Sequence, residues 1–150
     1  TYLMEKTGMQ PQEMAEFLNK QSGVLGITGI SSDMREIESA AEEGNKRAKL
    51  ALGMYNYRIK KYIGAYAAAM GGVDIIVWTA GVGENQTGTR LDACSGLEFL
   101  GIKMDAEANK VRGKEAIIST PDSKVTVCVI PTDEELVIAS DTEKLVSKLK

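Results

Sequence analysis

Histidine is absent from the 150 residues of this chain. A Ser-His-Asp or Cys-His catalytic site therefore cannot be built from it, and neither can a histidine-ligated zinc site. Acid–base chemistry would fall to carboxylates, lysines or tyrosines, or to a part of the protein that is missing. The chain also begins with Thr1 rather than methionine, and we expect it to be a fragment.

Cysteine is scarce, and the charge is not basic. Cys94 and Cys128 are far apart in sequence and form no C-x-x-C pair, which predicts reduced thiols in a cytoplasmic protein. The net charge of -3 removes a general electrostatic argument for nucleic acid as a partner. No apolar run is long enough to span a bilayer, and no signal-peptide pattern is present, so we expect no membrane partner.

The composition is that of a globular protein, with 43% hydrophobic and 26% charged residues. A length of 150 residues is that of one domain and suffices to bury a substantial core. We therefore expect residues 1–150 to form a single domain.

One stretch, from Ile75 to Asn85, combines a buried strand with a glycine turn. The apolar, β-branched run 75–78 predicts a fully buried strand of a parallel sheet. Gly81 and Gly83 follow at once, and then a polar segment able to start a helix. This order exposes backbone N–H groups at the carboxyl edge of a sheet, where nucleotides and phosphates bind. The spacing matches neither the dinucleotide fingerprint nor a Walker loop, so a ligand loop and an ordinary tight turn both remain open.

The helix pattern is strongest over 45–70, where apolar residues recur at three- and four-residue steps. Its tyrosines are at core spacing, which favours packing, although a subunit interface is the alternative. Arg90 and Asp92 are expected to be exposed on a helix over 87–95. The other predictions are helices over 11–21 and 33–43, a loop or irregular strand over 24–30, strands over 116–120 and 125–130, and a last helix that Thr132 and Glu135 would cap and that would end near Lys150.

Acidic residues stand at three junctions between predicted elements, at Asp33, at Glu84 and at 133–135. The last group follows a strand directly, so it would share the sheet edge with the glycine turn. Carboxylates there would suit Mg²⁺, which takes one or two of them together with waters and nucleotide phosphates. Carboxylates are also favourable at helix N-termini for purely structural reasons. The two interpretations remain open.

Three segments together carry a resemblance to a known family. The run Thr79-Ala80-Gly81-Val82-Gly83-Glu84-Asn85 followed by Arg90 resembles the adenosine loop of acetate kinases. The segment 22–35 and the run Ile130-Pro131-Thr132-Asp133-Glu134-Glu135 resemble two further segments of that family, in the same order and spacing. The match covers essentially the whole chain.

The resemblance implies an α/β fold of the ribonuclease-H-like, actin-like ATPase type, with a mixed sheet flanked by helices. The chain would be an incomplete C-terminal nucleotide-binding domain of a two-domain kinase. Its cofactors would be ATP or ADP and Mg²⁺, with Glu134 as the metal ligand and Glu135 the less favoured candidate. The nucleotide would contact Asp33, Met34, Arg35, Gly81, Val82, Gly83, Glu84 and Asn85.

The resemblance also implies what this chain lacks. The family transfers the γ-phosphoryl group of ATP to acetate, reversibly, with arginines, an aspartate and a histidine that lie earlier in the protein. No catalytic residue is therefore expected in this chain, which would be inactive alone. The full-length enzyme would be a homodimer acting on acetate and ATP. The alternatives are a propionate kinase of the same family and a non-catalytic nucleotide-binding or interaction module.

Overall fold

The computed structural model describes residues 1–148, except for the side chain of Glu134. The predicted final cation, Lys150, lies outside the described residues. The chain divides into two compact units, Thr1–Tyr66 and Ala67–Lys150. Among the described residues, no helix is both long and apolar enough to cross a membrane.

The first unit is helical. Its core is a cluster in which Ile37, Ala41, Ala48 and Ala51 are buried. The three alanines of this cluster have small side chains, which let neighbouring helices approach closely. The helices are α1 (Tyr2–Thr7), α2 (Pro11–Lys20), α3 (Gly23–Thr28), α4 (Met34–Glu42) and the first part of α5 (Lys46–Met70).

Helix α3 replaces the loop or irregular strand predicted over 24–30. The glycines of this segment suggested tight turns, but Val24 and Ile27 lie three residues apart and both pack against the Ile37 cluster. The helix ends at Gly29, which has a left-handed φ of 67°. Tertiary packing therefore outweighs the low helix propensity of glycine here.

Helix α5 confirms the predicted long helix, but its buried face differs from the expected one. Ala48, Ala51 and Ala67 are buried, whereas Tyr62 and Tyr66 are exposed and stack with ring centroids 6.1 Å apart. The prediction that the tyrosines pack into the core is therefore wrong for these two. The alternative, that they belong to a subunit interface, stays a prediction.

The second unit is built on a three-stranded sheet with the order β1-β3-β2. Strands β1 and β3 are parallel, with Ile75 opposite Thr126 and Trp78 opposite Val129. Strand β2 is antiparallel to β3, so the two strands predicted near the end of the chain pair with each other. The elements after α5 are β1 (Ile75–Trp78), α6 (Ala80–Asn85), α7 (Thr87–Cys94), two short 3-10 turns (Glu98–Leu100 and Ala108–Lys110), β2 (Ala116–Ile117), β3 (Thr126–Val129) and α8 (Glu134–Ser147).

The two faces of the sheet differ in burial. Trp78, Val127 and Val129 are buried on one face. On the other, Ile75 is 59% exposed and Val77 is 48% exposed. The prediction that the strand is buried on both faces is therefore wrong for this chain, because side chains of a strand alternate between faces and only one face is covered.

Candidate functional site

The glycine turn after β1 is a short helix. Helix α6 begins at Ala80, one residue after the end of β1, and ends at Asn85, one residue before α7 begins. Positive φ is found not at Gly81 or Gly83 but at Ala80, with φ of 58°. A left-handed conformation is costly for a residue with a Cβ and is often found where function fixes the backbone. The sharp change of direction after the strand is therefore made by an alanine.

The two glycines of α6 serve different purposes. A Cβ at Gly83 would lie 3.2 Å from the carbonyl carbon of Trp78, so this glycine lets α6 pack directly on the strand backbone. A Cβ at Gly81 would meet no described atom within 4 Å, and Gly81 is exposed. Of these two glycines, Gly83 is therefore the one that packing against the described residues requires.

The carboxyl ends of β1 and β3 meet at one edge, as predicted. The Glu84 carboxylate accepts hydrogen bonds from the Thr132 amide at 2.9 Å and from its hydroxyl at 2.8 Å. The Thr132 hydroxyl in turn accepts a bond from the Ala80 amide at 3.1 Å. The amide bond and then the hydroxyl bond lower the pKa of Glu84, because both favour the ionised carboxylate. The glycine turn and the segment before α8 are thus joined by side chains.

The N-terminus of α8 is capped by Asp133 rather than by the predicted Thr132. The Asp133 Oδ1 accepts a hydrogen bond from the Leu136 amide at 3.0 Å. The Thr132 hydroxyl instead donates to Glu84 and accepts from the Ala80 amide. Glu135 is exposed, and the side chain of Glu134 lies outside the described part of the structure.

The described residues contain no cluster of three or more histidine, cysteine, aspartate or glutamate side chains able to hold a metal. A site made by the protein alone is therefore not formed by them. Mg²⁺ needs fewer protein ligands, because it keeps waters and binds substrate phosphates alongside one or two carboxylates. Carboxylates at the N-terminus of α8 fit that kind of site.

Four successive carbonyl groups of α6 accept hydrogen bonds, although carbonyls near a helix end usually lack partners. Those of residues 81–84 are bonded at 2.8–3.1 Å, the first by the side chain of Asn85 within α6 and the other three by groups beyond the helix. Two of these donors are side chains, and one comes from a segment almost thirty residues further on. The donors are Asn85 Nδ2, the Gln86 amide, Arg90 Nη1 and the Gly113 amide.

Arg90 is buried with 0% exposure, so the prediction of an exposed side chain is wrong. Its Nη1 donates to the Gly83 carbonyl at 2.8 Å, and its Nε donates to Asn109 Oδ1 at 2.8 Å. Its Nη2 donates to the carbonyls of Asn109 at 2.6 Å and Val111 at 2.7 Å. Desolvation, and then the nearby charge of Arg112, lower the pKa of Arg90, but a guanidinium stays protonated in proteins.

The other three predicted nucleotide residues lie in the first unit. Asp33 caps α4, since its Oδ1 accepts from the Arg35 amide at 2.9 Å. The exposed Arg35 guanidinium also pairs with Asp33 Oδ2 at 2.6 Å. This pair, and then the amide bond, lower the pKa of Asp33 to about 2. Met34 packs against the Ile37 cluster. These contacts account for the local structure without a ligand.

The acetokinase family profile matches residues 1–140. This chain belongs to the acetokinase family. It is 64% identical over 148 residues to the acetate kinase of Phocaeicola vulgatus, and 62% identical over 151 residues to that of Thermotoga maritima. In each case the match covers 99% of the chain.

Solved structures support the same conclusion. Porphyromonas gingivalis acetate kinase superposes with a TM-score of 0.88 at 60% identity, covering 97% of this chain. A propionate kinase from Francisella tularensis gives 0.81 at 37% identity, covering 92% of this chain. The mixed sheet flanked by helices is thus that of acetokinase-family structures, which have the actin-like ATPase fold. The chain spans 37% of the Phocaeicola vulgatus protein and 37% of the Porphyromonas gingivalis chain.

Proposed function

We propose that this chain is the C-terminal, adenosine-binding part of an acetate kinase. The complete enzyme would transfer the γ-phosphoryl group of ATP to acetate, giving acetyl phosphate and ADP, and would catalyse the reverse reaction. This chain would supply one side of the nucleotide cleft. It would be inactive alone, because its resemblance to the family includes none of the residues that handle acetate or the γ-phosphate.

The observation that carries this proposal is the bond between Glu84 and Thr132. It holds an exposed glycine turn beside the N-terminus of a helix at the carboxyl edge of parallel strands. That edge is where ligands bind in open α/β sheets. Exposure of Gly81 leaves its backbone open to a ligand, and without a Cβ the ligand can approach closely. Gly81, Val82, Gly83, Glu84 and Asn85 would form one wall of the pocket, and Asp33, Met34 and Arg35 would border the adenine and ribose.

Glu134 would hold Mg²⁺ through its carboxylate, with Glu135 as the less favoured candidate. Bound Mg²⁺ would neutralise charge on the nucleotide phosphates during transfer. Asp133 would not compete for the metal through Oδ1, because that oxygen caps α8. The capped helix end would instead keep the carboxylates of the first turn in place.

Acetate is favoured over propionate as the substrate because the acetate kinases of Phocaeicola vulgatus and Parabacteroides distasonis are 64% and 58% identical to this chain, whereas the propionate kinase structure is 37% identical. The acyl-binding residues would lie elsewhere in the complete protein. By the same family resemblance, we expect the complete enzyme to be a cytoplasmic homodimer.

A chimera tests this proposal. The matching 37% of the Phocaeicola vulgatus acetate kinase would be replaced by this chain, and acetyl phosphate formation from acetate and ATP would be measured with Mg²⁺. We expect activity close to that of the parent enzyme. The parent enzyme lacking the replaced part serves as the control and should be inactive, as should this chain alone.

A folded chimera that neither binds ADP nor makes acetyl phosphate would contradict the proposal. Turnover by the isolated chain would contradict the claim that the chain lacks catalytic residues. A chain that binds ADP while the folded chimera has no activity would favour the alternative of a non-catalytic nucleotide-binding module.

A further inference from the structure

We propose that Arg90 is a positioning residue for nucleotide binding. Its guanidinium fixes the backbone of α6 by donating a hydrogen bond to the carbonyl of Gly83. This inference rests on the proposed function and deepens it. Arg90, on α7, donates the hydrogen bond that holds the glycine turn in place. The resemblance to the family does not explain why this side chain is buried.

The surroundings of Arg90 are unusual for a buried cation. In the part of the chain that the structure describes, no carboxylate forms an ion pair with it. Its partners are instead three backbone carbonyls and one side-chain amide oxygen, from Gly83, Asn109 and Val111. Burying an unpaired charge is expensive, so this arrangement is retained only where several good hydrogen bonds offset the cost.

Asn109 completes the arrangement from the other side. It is 1% exposed, and while its Oδ1 accepts from Arg90, its Nδ2 donates to the Thr87 carbonyl at 2.9 Å. Thr87 is the first residue of α7. The segment around Asn109 is therefore tied both to the start of α7 and, through Arg90, to the Gly83 carbonyl.

Among the hydrogen bonds of Arg90, the one to Gly83 reaches the glycine turn. Gly83 packs on the Trp78 backbone, and its carbonyl would otherwise lack a partner near the end of a six-residue helix. A lysine cannot replace Arg90, because the four acceptors need the planar, five-donor guanidinium. Without it, the carbonyl of Gly83 would lose the bond that holds the backbone of the glycine turn.

The test uses Arg90→Lys in the active chimera. The change loosens only the part of the protein that would contact adenosine. We therefore expect the KM for ATP to rise about tenfold, which is the usual effect of losing a hydrogen bond to a charged group. The kcat and the KM for acetate should stay unchanged. Arg112→Lys is the matched control, because it makes the same chemical change at an arginine that is nearby and exposed. It should alter none of these constants.

Asn109→Ala keeps the charge of Arg90 and removes one of its four acceptors, together with the bond from Asn109 Nδ2 to the Thr87 carbonyl. It should raise the KM for ATP by a smaller factor, and it decides the question if Arg90→Lys does not fold. A lower melting temperature with an unchanged KM for ATP in the folded variants would overturn the inference and leave Arg90 a purely structural residue. Equal rises in both KM values would also overturn it. An inactive parent chimera would instead refute the proposed function.

Discussion

Glu84 and Thr132 join the ends of the two parallel strands. One carboxylate oxygen, Oε1 of Glu84, accepts from both the amide and the hydroxyl of Thr132, at 2.9 and 2.8 Å. Glu84 lies in α6 after β1, and Thr132 lies between β3 and α8. The Glu84 side chain therefore helps to hold the glycine turn next to the helix N-terminus at which the proposed metal ligand lies.

Replacing Glu84 by glutamine tests this connection. In the chimera, Glu84→Gln should raise the KM for ATP roughly fivefold, because hydrogen bonds to a neutral oxygen are weaker than those to a carboxylate. Glu143→Gln on α8 removes the same charge at an exposed position and is the control. Equal KM values for the two variants would show that the bond has no role in binding.

The two glycines of α6 should respond differently to alanine. Gly83→Ala places a methyl group 3.2 Å from backbone and should lower the free energy of unfolding by about 1–3 kcal/mol, as overpacking does. Gly81→Ala meets no described atom and should leave stability unchanged or slightly higher.

Chemical denaturation of both variants in the chimera measures this difference. If nucleotide backbone contacts lie at Gly81, Gly81→Ala should still raise the KM for ATP. Similar denaturation midpoints for the two variants would contradict the observed packing of Gly83 on Trp78.

Ala80 carries the strained backbone of the turn. Ala80→Gly relieves a conformation that costs an L-residue about 1–2 kcal/mol. Glycine adds an entropic cost of about 0.5–1 kcal/mol. Because the first energy is the larger, the melting temperature should not fall. Ala80→Val should lower it, since a β-branched side chain at positive φ is strongly disfavoured. A melting temperature that falls equally for both would argue against a left-handed Ala80.

The sequence predicted most of the fold because its signals were local. The 3.6-residue pattern of α5 and the parallel pairing implied by the run at 75–78 both depend on neighbouring residues, and both are confirmed. Helix α3 was missed because glycine is a poor helix former, and its helix depends on contacts of Val24 and Ile27 with distant residues. Burial of only one sheet face was missed because the pattern of β1 does not reveal what covers each face.

The site was predicted as a set of segments, but not as a network of bonds. Sequence alone placed Glu84 and the group at 133–135 on one edge, which the bond to Thr132 confirms. The sequence did not reveal that Arg90 is buried, because the residues around Arg90 are those of a polar, exposed helix. The bonds of Arg90 to Asn109 and Val111 span about twenty residues and depend on the folded chain.

The Asp33–Arg35 pair should be visible in a titration. The pKa of Asp33 is lowered from 3.8 to about 2, so the stability that the pair contributes is present above pH 3.8 and is lost as the pH falls towards 2. Arg35→Met should raise the Asp33 midpoint by about one unit or more. Carboxyl-carbon NMR measures it, and Arg47→Met, an exposed arginine on α5, should leave the midpoint unchanged.

The uncovered sheet face should make the isolated chain self-associate. Ile75 and Val77 on β1 and Ile117 on β2 expose 59%, 48% and 65% of their surfaces. The two strands flank β3 in the sheet, and apolar patches of this kind drive association in water. The variant Ile75→Thr/Val77→Thr keeps β-branched side chains suited to a strand and should reduce association in sedimentation velocity, measured against the unmodified chain.

Val127→Thr is the matched control on the opposite face, where the side chain is 0% exposed. It should cost about 1–3 kcal/mol of stability by burying a hydroxyl, while the self-association of the folded chain stays unchanged. If the double variant still self-associates and has native circular dichroism, the surface that associates lies elsewhere. The exposed α5 residues Tyr62 and Tyr66 would then be the next positions to change.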